Sequence, residues 1–464
     1  MNDIVAKSAK SLVELMKARK LSPVEVMEGY LRRAEQLNPR LNAMVTFAPD
    51  ALAKAKAAEL DLARNRSTRL LHGLPITIKD TIETAGLRST SGSFVRAEFV
   101  PQVDAPAVAR LRAAGAIILG KTNAAEMAMD YTADNPVFGR TNNPHELSRS
   151  PGGSSGGEAV AIATCMSACG LGSDLAGSIR IPAHFCGIAG LKPGSGRVPS
   201  SGQFPPSIGP YSLGAAIGPM ARKVEDLLLL FKALAPAEML EEDLAEIRAR
   251  LGGRRLAWYA DDQVAPVSAE TRAAVESAAR VLHDAGLVVE ERLPPSVSRG
   301  YDLWLSLFSR ASVVQLREVY TGAEEQVGSF VRWRLATADD NPLPTLDQYI
   351  KSWMERDRLR AELLDWMEEI PLLLTPVGAM PAMKHGAVKV TVAGQTISVF
   401  RAFSYSQAFN VFDLPSVTVP VARSSEGLPI GVQVVGKPKA EDTVLAVGAI
   451  LEEALGGWQP PVGM

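Results

Sequence analysis

Short apolar runs of strand length recur along this chain, most of them after a stretch with helical periodicity, and that alternation leaves room for little besides a sheet fed by crossover helices. The clearest run is Gly73-Leu74-Pro75-Ile76-Thr77-Ile78-Lys79-Asp80, where the β-branched residues after Pro75 suit a short buried strand with Lys79 at its C-terminal end. Functional groups in open α/β sheets collect at such strand ends. The same step recurs as a helix over 105–114 before a strand over 116–119, and as a helix over 268–285, capped by Ser268, before a strand over 286–290. Further strands are predicted over 255–259, 371–375 and 416–420. Residues 3–37 read as two helices, the second opened by Ser22-Pro23-Val24-Glu25 with the pattern of a capping box. An Ala-rich helix is expected over 49–64, an apolar one over 155–167, and a largely helical region over 301–368 that carries most of the tryptophans. At 464 residues, 47% apolar, with no linker, repeat or low-complexity tract, the chain reads as one interleaved α/β domain.

Charge and cysteine usage exclude several classes. With 49 Lys and Arg against 51 Asp and Glu, there is no field of one sign to hold nucleic acid or an anionic membrane. Cys165, Cys169 and Cys186 are too few and odd in number for a disulfide framework. Cys165 and Cys169, four apart on an expected helix, read as small core residues, and the five histidines form no helical pair with another ligand, so no metal site is expected. The N-terminus shows no basic stretch followed by an apolar block, and the apolar run over 159–173 is shorter than the roughly 20 residues that span a bilayer. A cytoplasmic location is the expectation.

Three motifs compete for the function. Gly115-Ala116-Ile117-Ile118-Leu119-Gly120-Lys121-Thr122 fits the phosphate-loop pattern, but its variable positions are the apolar strand itself rather than a turn after one. Gly152-Gly153-Ser154-Ser155-Gly156 fits the nucleophile elbow of α/β-hydrolases, yet the segment over 141–151 before it is polar and holds two prolines. His184, His283 or His385 would complete a Ser-His-Asp triad on that reading. The third reading takes Ser154 and Ser155 together with the tight segment Ser173-Asp174-Leu175-Ala176-Gly177-Ser178-Ile179-Arg180, two serine-bearing turns bracketing one buried helix. Small residues at 176 and 177 let successive N–H groups face a concavity that suits an oxyanion. No histidine lies in these turns, and Lys79, desolvated at a strand end, supplies a base.

These residues strongly resemble the amidase-signature family. The matches are GLPITIKD at 73–80, GKTNAAE at 120–126, PGGSSGGE at 151–158, GSDLAGSIRIPA at 172–183 and CGIAGLKPGSGRVP at 186–199, in family order and spacing. They continue through LTP at 374–376, NVFDLP at 410–415 and GLPIGVQ at 427–433. The resemblance implies one α/β domain over 1–464 built on a twisted, mostly parallel mixed sheet covered by helices on both faces. Within it, 1–65 would form N-terminal helices, 66–230 the core with the catalytic residues, and 231–464 the rest of the sheet and the substrate pocket.

The resemblance further implies Ser178 as nucleophile, Ser154 after a cis peptide bond as proton relay, and Lys79 as base, with no cofactor. The N–H groups of Leu175, Ala176, Gly177 and Ser178 would form the oxyanion hole, and Ser155, Asp174 and Arg180 would hold the turns, although an ordinary surface pair is the alternative for Asp174 and Arg180. Ala176, where the family most often has Gly, would narrow the acyl pocket. Met129-Asp130-Tyr131 and Asp413 resemble fatty-acid amide hydrolases, the first three in an acyl-pocket position, and residues 301–350 would supply much of the pocket. The branch that hydrolyses glutamine for a tRNA-dependent amidotransferase remains an alternative, but residues 403–409 lack the acid it uses. The expected partner is a small-molecule amide, with neither nucleic acid nor membrane, and a homodimer is left open.

Overall fold

The computed structural model describes residues 3–64, 69–235, 243–340 and 343–463. Among these, eleven strands form one sheet and two form a separate hairpin. In chain order the strands are β1 Met44–Phe47, β2 Pro75–Lys79, β3 Ile117–Thr122, β4 Cys169–Asp174, β5 Ala189–Lys192, β6 Ala216–Ala221, β7 Arg255–Trp258, β8 Val288–Glu291, β9 Leu372–Pro376, β10 Lys389–Val392, β11 Gln395–Ser398, β12 Ser416–Arg423 and β13 Pro429–Gly436. The large sheet runs β1-β3-β2-β4-β6-β5-β12-β13-β9-β7-β8, and β10 pairs with β11.

This is the mixed sheet of a single α/β domain. Parallel pairing is confined to two flanks, β3-β2-β4 and β9-β7-β8. The centre, from β4 through β6, β5, β12 and β13 to β9, is antiparallel, and so is the β1 edge. The middle is thus more antiparallel than a mostly parallel sheet implies, because β12 returns directly into β13 through a short loop, and only antiparallel neighbours can be joined that way. Helices cover both faces. Leu256, Leu372, Leu374 and Val434 face one hydrophobic cluster, while Ala257, Leu373 and Val435 face another, the two-residue alternation of a strand buried on both sides.

The capping box at Ser22 and Glu25 is present and starts the Pro23–Leu41 helix. The first 37 residues hold three helices rather than two, because Ser8 caps a separate Ala9–Lys17 helix. The apolar helix stops at Ala163, four residues before the expected end: Cys165 has φ +58 and Cys169 opens β4, so these two cysteines do not share a helix. Among the described residues no helix is long and apolar enough to cross a membrane.

Candidate active site

The site forms where the C-terminal ends of β2 and β4 meet the two serine turns. Pro75–Lys79 is buried throughout and lies parallel between β3 and β4, so Lys79 leaves the sheet beside the end of β4. Its side chain is 0% exposed, and Nζ donates to Ser154 Oγ at 2.7 Å and to Ser173 Oγ at 2.9 Å. Burial pulls its pKa down to about 7, against the opposing pull of the Asp174 and Glu158 carboxylates. Glu158, in the first turn of the Gly156–Ala163 helix, accepts from the hydroxyls of Thr77 and Thr122, and burial raises its carboxyl. An amine and an acid are therefore both held where charge is disfavoured.

Ser154 follows a cis Gly153–Ser154 peptide bond. Only glycine fits at 153, since a Cβ there would sit 2.0 Å from the Thr132 carbonyl oxygen. The Ser155 N–H donates to the Ser178 carbonyl at 3.2 Å, which ties the two turns together, and Ser155 Oγ donates to the Ser173 carbonyl at 3.3 Å.

Asp174 and Arg180 form a fully buried bidentate pair, Nε to Oδ2 at 3.0 Å and Nη2 to Oδ1 at 3.0 Å, not a surface pair. Burial works to raise the Asp174 carboxyl, but Arg180, with Lys192 and Asn410, reverses this and holds it well below the usual carboxylate range. Arg180 also reaches Ser406 O, Asn410 Oδ1 and Gln433 Oε1. Asp174 takes the N–H of Gly177 at 2.8 Å and that of Ile179 at 3.1 Å. This removes Gly177 from the expected oxyanion donors, because its one N–H is already committed to a carboxylate. The N–H groups of Leu175, Ala176 and Ser178 carry no protein partner among the described residues.

Ser154, Ser173 and Ser178 line a cleft of about 860 Å³, counting its solvent-open mouth. Met129, Asp130 and Tyr131 all lie on its wall, and the Tyr131 hydroxyl donates to the Ala176 carbonyl at 3.0 Å. From the 301–350 region come Trp304, Phe308, Ser309, Ser312, Gln315 and Arg334, and Trp304 Nε1 donates to the Leu175 carbonyl at 3.1 Å. Sequence reasoning missed Ser173, Glu158 and Arg334. No local signal marks Ser173, since its meeting with Lys79 depends on the β2–β4 pairing. Asp413 lies away from this wall. It has φ +51 and accepts from the Ser195 N–H at 2.8 Å, a left-handed position where Gly and Asp are both tolerated.

The competing motifs have other occupations. The apolar letters of the phosphate-loop pattern are β3, and Lys121 is buried, donating to Ile82 O, Thr84 Oγ1 and Ser89 Oγ. The segment before Ser154 is not a strand. His184 accepts the Gly431 N–H at Nδ1 and bonds Met380 O through Nε2, His385 bonds Leu147 O, and His283 sits beside Asp284 at the surface. The side chain that Ser154 Oγ meets is the Lys79 amine, not a histidine.

A family model described as Amidase matches residues 25–445. Fatty-acid amide hydrolase 2 of Homo sapiens is 30% identical, with 98% of this chain and 90% of that protein covered. A glutamyl-tRNA(Gln) amidotransferase subunit of Carboxydothermus hydrogenoformans is 32% identical, with 96% of each covered. Among solved structures, a bacterial aryl acylamidase of the amidase-signature family superimposes with a TM-score of 0.86 at 27% identity, covering 97% of this chain and 96% of that one.

Proposed function

The chain belongs to the amidase family, and on that premise we propose that it hydrolyses a carboxylic amide to acid plus ammonia or amine through an acyl-enzyme on Ser178. The observation that carries this reading is the buried Lys79 Nζ, 2.7 Å from Ser154 Oγ. A lysine free of solvent, with its pKa drawn down to about 7, supplies a neutral amine near neutral pH. That amine takes the proton of Ser154 while Ser154 takes that of Ser178, whose oxygen attacks the amide carbon. The N–H groups of Leu175, Ala176 and Ser178 receive the oxyanion. Ser154 then hands a proton to the leaving nitrogen, and water, activated along the same relay, releases the acid.

The cleft wall of Trp304, Phe308 and Phe400 supports an aliphatic or aromatic amide of modest size. Glutamine is disfavoured by the lack of any acid over 403–409. The test is a fluorophosphonate probe followed by peptide mapping. Ser178 is expected to carry the label, and modification of Ser154 with Ser178 untouched would sink the proposal.

A further inference from the structure

The cleft carries two charged side chains that this reaction does not use, Asp130 and Arg334. Asp130 accepts the Tyr131 N–H at 2.7 Å on Oδ1 and the Thr132 hydroxyl at 2.8 Å on Oδ2. A carboxylate has room for about four such bonds, so each oxygen keeps an open position. Arg334 donates through Nε to Ser312 Oγ at 3.2 Å, and through Nη2 to Ser309 O, to Ser309 Oγ at 2.8 Å and to Ser312 Oγ at 3.0 Å. Its Nη1 has no protein partner among the described residues. Neither side chain has an opposite charge within ion-pair distance among those residues. Burial, the larger influence on each, disfavours both charges, while each is favoured more weakly by the other through space.

The rest of the wall is largely apolar, with Met127, Met129, Trp304 and Phe400 among its members. A plain alkyl or aryl chain filling this space would strip water from a carboxylate and a guanidinium and return nothing to either. A lone cation would satisfy Asp130 and crowd Arg334; a lone anion would do the reverse. A neutral group with an N–H edge and a carbonyl edge satisfies both.

We infer that Asp130 and Arg334 together read a second carboxamide or a ureido group on the non-reacting part of the substrate, which makes that substrate a diamide rather than a simple fatty or aryl amide. The inference rests on the amide hydrolysis proposed above and names the substrate class of the same site.

The experiment compares ammonia release by the full chain from hexanamide, adipamide, adipamic acid and 6-aminohexanamide. After allowance for its two equivalent ends, adipamide is expected to exceed hexanamide in kcat/KM on the order of tenfold, chiefly through KM, the effect of one hydrogen bond to a charged group. Both ionic analogues should fall below adipamide. Asp130→Asn and Arg334→Gln should each bring the adipamide-to-hexanamide ratio towards one, with fluorophosphonate labelling of Ser178 as the check that the turns remain assembled. If Arg334→Gln loses that labelling, Asp130→Asn carries the test alone. Equal use of adipamide and hexanamide, preference for either ionic analogue, or a ratio untouched by Asp130→Asn overturns the inference while leaving the hydrolysis intact. Absence of all amide turnover together with an unlabelled Ser178 overturns the underlying reaction as well.

Discussion

Lys79 is useful because its surroundings make its charge hard to keep. Burial dominates its pKa, and the two carboxylates that oppose it, Asp174 and Glu158, are engaged by Arg180 and by threonine hydroxyls. On the proposed reaction the active form is the neutral amine, so kcat/KM is expected to fall away below pH 7, to rise through about pH 7 and to level off above it. Lys79→Ala should lower turnover about 10²- to 10⁴-fold and remove that rise, as read from a pH–rate profile. Stability follows the same sign. The folded pKa of about 7 lies below the ordinary 10.5, so the unfolded chain binds more protons between those values, and the Lys79 contribution to stability grows with pH across that window. The place of Lys79 at the end of a buried β-branched run was legible as a local pattern, and only its combination with the two serine turns singled it out. The 2.9 Å bond to Ser173, 94 positions away, was not, since nothing near Ser173 announces it.

The turn between β4 and the Arg180–Cys186 helix is a tightly determined element. Gly177 has φ +101, and a Cβ on it would lie 2.6 Å from Ile181 Cδ1 and 2.8 Å from Ser406 Cβ. With that φ and those contacts, Gly177→Ala strains the turn and is expected to displace Ser178 or its N–H neighbours. Displacements near 1 Å cost about 10²-fold in comparable sites, so acylation of Ser178 by a fluorophosphonate should slow on that order, measured as a second-order labelling rate. Elements set by neighbouring residues were readable in advance, as the Ser22 capping box and the strand Pro75–Lys79 show. The free N–H groups of this turn were readable only in part. Small residues at 176 and 177 announce an N–H cradle, but which N–H stays free is decided by where the Asp174 carboxylate points, a three-dimensional fact. Asp413, singled out by its likeness to the fatty-acid amide hydrolases, has a left-handed backbone and takes the Ser195 N–H.

At the scale of the molecule, the presence of strands was legible and their order was not. Apolar runs give no hint that β12 and β13, late in the chain, lie mid-sheet between β5 and β9. Arg180 crosses the same distance, bonding Asn410 and Gln433, 230 and 253 positions on. A chain cut just before Ser416 keeps Lys79, Ser154 and Ser178 but loses Gln433 and both central strands. Such a fragment is expected to show no fluorophosphonate labelling of Ser178 and a far-UV spectrum poorer in strand than the whole protein. The late arrival of β12 and β13 also bears on synthesis. A polypeptide still emerging from the ribosome already carries Lys79, Ser154 and Ser178, and on the proposed reaction it is expected to stay chemically silent until the stretch that forms β12 and β13 is released.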